Sequence, residues 1–214
     1  MKKILIVLST LLMLTALIVG ISISAAAEDP TSGTCGENLT WVFDESTGEL
    51  TISGTGEMGY INFNGFEFAS SITSVKIEDG VTSIGDVAFA GCENLTSVSV
   101  PSSITSIEYG AFYGCKHLTS VTLPDSLTSI GEAAFRGCES LANITIPDSV
   151  TTICAATFAD CKSLTNVTIP EGVTSIGSTA FAGCESLTSI TIPNGVTSIE
   201  SDVFMNCRPS RNLR

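Results

Sequence analysis

Residues 118–140 read LTSVTLPDSLTSIGEAAFRGCES, and nearly the same 23 residues come before and after them. A leucine, a proline, a phenylalanine and a cysteine keep fixed places in this unit. Repetition at a period of about 20–50 residues is typical of solenoids, in which one small structural unit is stacked on itself. The sequence therefore predicts a solenoid with regular units that begin at Ile72, Leu95, Leu118, Leu141, Leu164 and Leu187.

One unit divides into a strand, a stop and a compact outer turn. Apolar and polar residues alternate over residues 118–123, which predicts a short strand. Pro124 cannot donate a ladder hydrogen bond, so it ends the strand. Residues 131–137 bury Ala134 and Phe135 in a piece too short for a stable independent helix, so we expect one helical or 3-10 turn there. A single unit cannot cover its own apolar side chains, so stability must come from stacked neighbours with parallel strands.

The predicted fold class is therefore an α/β repeat solenoid, with short parallel strands on an inner face and short helical or 3-10 turns outside. A small β-hairpin cap is predicted within residues 28–71, because residues 39–43 and 50–54 alternate like strands around a turn-rich linker. Its apolar face includes Trp41, which is expected to cover the end of the stack.

A degenerate unit is expected between the hairpin and the first regular unit. Residues 55–71 are rich in glycine, phenylalanine and asparagine, and Phe66 lies 23 residues before Phe89. The regular array then covers residues 72–207, and a basic tail covers residues 208–214. No polar cap follows the last unit, so its core is expected to stay open and could pair end to end with another molecule.

Residues 1–27 have the pattern of a secretory signal peptide. A basic start precedes a long apolar run, and Ala25, Ala26 and Ala27 supply the small residues of a cleavage site after Ala27. The alternative is a retained membrane anchor, since the run is long enough to span a bilayer. Export to the medium or the cell surface is expected in either case.

The net charge of −13 argues against nucleic acid as a partner, because such a surface repels phosphate backbones. Eight cysteines in an exported chain would ordinarily suggest disulfides. Six of them share one repeat position, however, and parallel Cβ vectors in a stacked column do not converge as a disulfide requires. These six are predicted to be buried thiols that fill the core: Cys92, Cys115, Cys138, Cys161, Cys184 and Cys207. The states of Cys35 and Cys154 stay open.

These residues carry a resemblance to a known family. The pattern L-x-x-V-x-I-P followed by A-F-x-x-C, at a 23-residue period, resembles the BspA-type leucine-rich repeats over residues 72–207. Residues 33–58 resemble the segment that precedes such repeats in exported proteins of anaerobic gut bacteria. The resemblance implies a horseshoe-like solenoid that binds a host or neighbouring-cell surface protein or glycan, and it implies no catalysis and no cofactor.

The inner strand face is the first candidate binding surface. Its exposed positions are small hydroxyls and amides, without the aromatic and arginine anchors of most protein-binding patches. The alternative is that these rows are cross-strand hydrogen-bond ladders that serve the fold. The candidate residues are Ser97, Ser99, Ser120, Thr122, Asn143, Thr145, Asn166, Thr168, Ser189 and Thr191.

A second candidate surface lies on the outer turns, where the side chains vary most between units. It comprises Tyr109, Tyr113, Lys116, His117 and Arg136, and ordinary surface variation is the alternative. The residue after each column cysteine also alternates in sign, which predicts a ladder of ion pairs between stacked units. That ladder reads Glu93, Lys116, Glu139, Lys162 and Glu185.

Catalysis and metal binding find no support in the sequence. His117 is the only histidine, and no nucleophile motif accompanies it. Stacked carboxylates at Asp125, Asp148 and Glu171 could in principle hold calcium, but no calcium-loop motif is present. A binding or adhesion module is therefore the expected function. The alternatives are a passive spacer, a fragment of a larger surface protein and, more remotely, an ice- or mineral-binding threonine ladder.

Overall fold

The computed structural model describes residues 31–207. Over this range the chain forms strands joined by tight turns, with two 3-10 helices near its start. The strands are β1 (Ser32–Gly36), β2 (Leu39–Asp44), β3 (Glu49–Gly54), β4 (Gly56–Glu57), β5 (Ser74–Ile77), β6 (Val81–Ile84), β7 (Ser97–Ser99), β8 (Ser106–Ile107), β9 (Ser120–Val121), β10 (Ser129–Ile130), β11 (Asn143–Thr145), β12 (Thr152–Ile153), β13 (Asn166–Thr168), β14 (Ser175–Ile176) and β15 (Ser198–Ile199), and the 3-10 helices are Phe63–Gly65 and Glu67–Ser71.

The main sheet confirms the predicted solenoid. Its eight strands follow the order β1-β2-β3-β5-β7-β9-β11-β13, so one strand from each successive unit joins in turn. From β3 onward all neighbours are parallel. Each residue pairs with the equivalent residue of the next unit, as Asn143 does with Asn166.

A second row of very short parallel strands follows the proline turn of each unit, which the sequence did not predict. It consists of a four-stranded sheet, β10-β8-β6-β4, and a three-stranded sheet, β12-β14-β15. The first five regular units therefore each contribute two strands to the stack, and their apolar side chains lie between these strands.

The predicted hairpin is present and extends the main sheet. Strands β2 and β3 pair antiparallel, and β3 then pairs in parallel with β5 of the first regular unit. A further strand that the sequence did not predict, β1, pairs antiparallel with β2. Trp41 is 2 % exposed, and its ring lies 5.6 Å from that of Phe63 and 5.0 Å from that of Phe66. The tryptophan is thus a cap residue, as expected.

A column of stacked phenylalanines runs through the core. Neighbouring ring centroids lie 5.3–5.9 Å apart, and the rings are nearly parallel. The 23-residue spacing places Phe66 one unit before Phe89, but Phe63 stacks on Phe89 instead. Phe63 begins the first of the two 3-10 helices, which lengthen the chain between it and the first regular unit. The column comprises Phe63, Phe89, Phe112, Phe135, Phe158, Phe181 and Phe204.

The outer segments of the regular units are chains of single turns, several of them closed by a hydrogen bond to the carbonyl three residues back, as in a 3-10 turn. The turns do not continue as helices, and 3-10 helices occur only within residues 63–71 of the described chain. In one such segment, the N–H groups of Ala133, Phe135 and Gly137 donate to carbonyls of the following unit, whereas those of Ala134 and Arg136 donate three residues back. Ala133 and Gly137 have φ values of 54° and 74°, which interrupts any helical path. The alternation links each unit directly to the next.

Glycine stands at the start of this outer segment in every second unit, at Gly85, Gly131 and Gly177. A Cβ atom added at Gly177 would lie 2.5 Å from the backbone nitrogen of Ala155, and one added at Gly131 would lie 2.7 Å from a backbone carbon of Glu108. At Gly131 and Gly177 the backbone of the preceding unit lies too close for a Cβ atom.

We therefore expect Gly177→Ala to lower the free energy of unfolding by about 2–3 kcal/mol, the usual cost of overpacking, as measured by urea denaturation. Gly65→Ala is a suitable control, because a Cβ atom there would meet nothing within 4 Å. Cys154→Ala is a second control, since Cys154 occupies the same unit position and already carries a Cβ. Equal stability of Gly177→Ala and Gly65→Ala would contradict the described packing.

The sixth unit is less regular than the others. Ser189 and Thr191 are exposed but lie outside any strand, so the predicted inner-face row ends at β13. Their segment has a neighbouring unit on one side only among residues 31–207. Ile199 is 51 % exposed, whereas the equivalent Ile176 is fully buried. The predicted signal peptide and basic tail lie outside the described residues.

Candidate functional site

The strand face presents small polar side chains, as predicted. Positions on both sides of each buried strand residue are exposed in β7, β11 and β13. Asn166 donates from Nδ2 to Asn143 Oδ1 over 3.5 Å and to Thr165 Oγ1 over 3.1 Å. The two asparagines thus form one step of the expected ladder, and a structural role accounts for them.

Threonine hydroxyls next to the strands also serve the fold. They donate to the backbone carbonyl one unit earlier, over 2.8–3.3 Å, and so tie each unit to its predecessor. The donors are Thr96, Thr105, Thr119, Thr128, Thr165, Thr174 and Thr197. These hydrogen bonds between units are sufficient to explain why threonine recurs in the repeat, and no ligand-binding role is needed to account for it.

Three of the five residues predicted for the outer patch converge in one groove of about 500 Å³, which we call the turn-face groove. Tyr113, Lys116 and Arg136 lie in it, together with residues of the units on either side. Its full lining is Gly91, Glu93, Tyr113, Gly114, Lys116, Arg136, Gly137, Glu139, Asp160 and Lys162.

Tyr109 and His117, the other two predicted residues, do not line this groove. Tyr109 is 55 % exposed, and its backbone N–H donates to Asp86 Oδ1 over 3.0 Å. His117 Nδ1 lies 2.7 Å from the carbonyl oxygen of Glu93, so the imidazole bridges two units. The patch predicted from sequence variation is therefore only partly one surface.

The centre of the groove is a contact between three consecutive units. The Arg136 guanidinium carbon lies 5.8 Å from the Tyr113 ring centroid, and Arg136 Nε lies 3.6 Å from Asp160 Oδ2. A cation held against an aromatic ring and a carboxylate in this way keeps its side chain in place. We call Tyr113, Arg136 and Asp160 the central cluster.

Each member of the central cluster departs from the pattern of its own repeat. Tyr113 and Arg136 occupy the same position in their units, and three of the other four regular units have alanine there. That column reads Ala90, Tyr113, Arg136, Ala159, Ala182 and Met205. Asp160 occupies a position that is glycine in four of six units. That column reads Gly91, Gly114, Gly137, Asp160, Gly183 and Asn206.

Asp160 also has a strained backbone. Its φ is 60°, in the left-handed region that glycine adopts at the equivalent Gly114 and Gly137. A residue with a Cβ is disfavoured there, although aspartate and asparagine tolerate it better than most. The carboxylate beside Arg136 is thus present at a position where glycine would suit the backbone better. Sequence reasoning missed Asp160, although its departure from the glycine column was a visible signal.

The predicted ladder of alternating charges is present as separate pairs. Lys116 Nζ lies 2.7 Å from Glu93 Oε1, and Lys162 Nζ lies 3.0 Å from Glu139 Oε2. The hydrogen bond to Glu93 raises the pKa of Lys116, and the more distant charge of Glu139 contributes less. These two pairs line the groove beside the central cluster. They add little stability because they are exposed to solvent.

All eight cysteines are free thiols, Cys35 and Cys154 included. The burial predicted for the column is confirmed for five of its six members, and Cys207 in the last unit is half-buried. Each later column thiol donates to the carbonyl of a phenylalanine 26 residues earlier, with Sγ–O distances of 3.1–3.3 Å. Cysteine is therefore both a filler and a small buried donor that joins neighbouring units. The donors are Cys115, Cys138, Cys161, Cys184 and Cys207.

Within residues 31–207, no group of three or more histidine, cysteine, aspartate or glutamate side chains is arranged to hold a metal ion. The same residues include no helix with the length and apolar character needed to cross a membrane. The anchor considered as an alternative to a signal peptide falls outside this range.

Comparison with solved structures supports the fold. A leucine-rich repeat protein from Bacteroides ovatus superposes with a TM-score of 0.69 at 29% identity, over 84% of this chain and 52% of that chain. The leucine-rich repeat protein TpLRR of T. pallidum gives a TM-score of 0.59 at 25% identity, over 78% of this chain and 85% of that chain. This chain thus spans about half the length of the Bacteroides ovatus structure. A search of curated proteins gave no match.

The model of the BspA type leucine rich repeat region matches the sequence in six copies, over residues 59–162 and 82–211. Together these matches cover well over half of the chain, and the 23-residue unit of the structure agrees with them. The chain therefore belongs to the family of BspA-type leucine-rich repeat proteins.

Proposed function

We propose that this protein is a non-catalytic binding module of the bacterial cell surface, and that its partner contacts the turn-face groove. Membership of the repeat family and the strongly acidic composition support an exported module. The partner expected from the sequence is a protein or glycan on a host cell or a neighbouring cell. The groove is preferred to the strand face because only the groove combines an aromatic side chain, an arginine and carboxylates.

The central cluster is the single observation that carries this proposal. Stacking needs only the repeated core residues, yet three neighbouring units depart from the repeat pattern at side chains that touch one another. None of the three departures serves the core, because Tyr113 is 46 % exposed and the Arg136 and Asp160 side chains are 46% and 50% exposed. Exposed variation on a regular frame is where a repeat protein places specificity.

The proposal is tested by binding of the fluorescently labelled protein to fixed epithelial cells and to fixed cells of neighbouring bacterial species, measured by flow cytometry. Arg136→Ala is expected to weaken cell binding about tenfold, because arginine is a frequent anchor of binding energy. The matched control is the double variant Asn143→Ala and Asn166→Ala on the strand face, which should bind as the wild type does.

A loss of binding in the strand-face variant alone would place the site on the strands and refute the groove. Binding to none of these cells would favour a passive spacer. Far-ultraviolet circular dichroism of each variant checks that the fold is intact, and both changes are at exposed positions whose effect on stability is expected to be small.

A further inference from the structure

We propose that the turn-face groove binds an uncharged oligosaccharide laid along the stack of units, with one sugar ring packed on Tyr113. This inference rests on the proposed function of the groove as a binding site and names the chemistry of its ligand. It follows from the charge balance of the groove, from the surroundings of Tyr113 and from the spacing of the units.

The charges of the groove already neutralise one another. Its three cationic and three anionic side chains form three pairs: Lys116 with Glu93, Arg136 with Asp160, and Lys162 with Glu139. An acidic or basic ligand would meet an opposing charge beside every counter-ion, so the groove exerts no net attraction on either. The groove therefore disfavours ionic ligands, although the whole chain is acidic.

The paired side chains keep hydrogen-bonding capacity that suits hydroxyl groups. A carboxylate can accept several hydrogen bonds, and ammonium and guanidinium groups can donate several, so one ion pair leaves most of this capacity unused. Acceptors and donors thus stand side by side along the groove. A sugar hydroxyl both donates and accepts hydrogen bonds. Two adjacent hydroxyls of one ring can therefore bind an ion pair such as Glu93–Lys116, one donating to the carboxylate and the other accepting from the ammonium group.

Tyr113 offers an aromatic surface with an arginine on one side and small residues on the other. Arg136 lies against its ring from the following unit. The equivalent residue in the preceding unit is Ala90, and the floor beside it is Gly91. The apolar C–H face of a pyranose ring can pack on an aromatic ring in such a place, where one end of the side chain is apolar and the other polar.

The groove extends over four units, from Gly91 to Lys162. The stacked phenylalanine rings beneath these units are 5.3–5.7 Å apart, which gives the advance per unit. An extended chain of pyranose rings advances by a comparable distance per ring. One ring per unit would therefore place successive sugars against successive charged side chains, one from each unit: Glu93, Lys116, Glu139 and Lys162.

The test titrates the purified protein by isothermal calorimetry with neutral gluco-, manno-, xylo- and galacto-oligosaccharides long enough to span the groove. Heparin fragments and an oligolysine peptide of similar length serve as charged probes. We expect saturable binding of at least one neutral oligosaccharide, with an affinity that changes less than about twofold when the salt concentration is raised from low to high. Binding of only the charged probes, or of none, would overturn the inference.

Substitutions then locate the sugar. Tyr113→Ala should weaken binding about tenfold through loss of the packed ring, and Tyr113→Phe should preserve it. Tyr109→Ala is the matched control, because Tyr109 is as exposed as Tyr113 but lies outside the groove. An unchanged affinity of Tyr113→Ala, or an equal loss in Tyr109→Ala, would overturn the assignment.

Failure of this inference can be told apart from failure of the proposed function. Periodate oxidation of the target cells destroys glycans, whereas protease treatment destroys surface proteins. Binding that depends on Arg136 and disappears after periodate supports the sugar ligand. Binding that depends on Arg136 and disappears only after protease would overturn the sugar ligand and leave the groove as a protein-binding site.

Discussion

The protein is expected to unfold between about pH 10 and pH 11, because its buried thiols keep their protons in the folded chain and lose them in the unfolded chain. Burial raises the pKa of Cys92 and of Cys184 from 9.0 to about 12. It raises the pKa values of Cys115, Cys138 and Cys161 well above 9.0. All five side chains are fully buried.

The sign of the effect follows from the proton count. Below pH 9 the thiols are protonated in both states, so they make no contribution to the pH dependence. Above that value the unfolded chain releases protons that the folded chain retains, so the free energy of unfolding falls as the pH rises. Five such groups give a slope of up to about 7 kcal/mol per pH unit, which exceeds the usual stability of a domain within one to two units.

Urea denaturation at a series of pH values from neutral to strongly alkaline measures this slope, and ultraviolet absorbance of the thiolate should appear together with unfolding. Cys138→Ala should reduce the number of protons released by about one. Titration of the denatured, unreduced protein with a thiol reagent is a necessary control and should give eight free thiols. A folded protein at pH 11, or fewer than four free thiols, would contradict the buried column.

Phe135→Ala is expected to lower the free energy of unfolding by about 3–5 kcal/mol, the usual cost of removing a buried phenyl ring. Phe135 is fully buried and stacks on Phe112 at 5.3 Å and on Phe158 at 5.7 Å. Its loss leaves a void between two neighbouring units, whose interface supplies much of the stability of a solenoid. Urea denaturation followed by circular dichroism and by the fluorescence of Trp41 measures the change.

Phe204→Ala is the matched control for the stacking argument. Phe204 is only partly buried and stacks on Phe181 at 5.9 Å, without a further ring beyond it among the described residues. The same substitution there should cost about 1–2 kcal/mol. Equal losses at Phe135 and Phe204 would show that the phenylalanine column does not couple the units.

The sequence predicted those parts of the fold that repeat. The 23-residue spacing of Phe135 and Cys138 with their equivalents predicted the stack, because a residue that recurs at every unit must meet its own copy. The alternation around Trp41 predicted the cap strand. These predictions needed only the period and the division into apolar and polar residues.

The parts that were missed depend on the path of the backbone within a unit. The left-handed conformations of Ala133 and Asp160 keep the outer turns from continuing as a helix, and alanine in particular does not signal such a conformation. Phe63 rather than Phe66 stacks on Phe89, because two 3-10 helices occupy residues 63–71 in place of the regular repeat. Close approach of stacked backbones explains Gly131, which spacing alone did not distinguish from other glycines.

The candidate site was predicted in part for a related reason. Residue variation identified Tyr113 and Arg136, but it also selected Tyr109 and His117, which face other surroundings. Asp160 was missed because a single aspartate on an acidic surface is not unusual. It stands out only when the units are compared and its position is seen to be glycine in most of them. The central cluster becomes visible when the units are compared with one another, because Tyr113, Arg136 and Asp160 each differ from the residue that most other units have at that position.

The central claim is that the repeat pattern forms the core and that the central cluster carries the function. The variant Tyr113→Ala, Arg136→Ala, Asp160→Gly tests it directly, because all three changes restore the residues of the other units. Binding to cells and to neutral oligosaccharides, measured beside thermal stability, is the decisive comparison. We expect binding to be lost while stability stays equal or rises by about 1 kcal/mol, since glycine relieves the backbone at position 160. Undiminished binding, or a protein that no longer folds, would contradict the account.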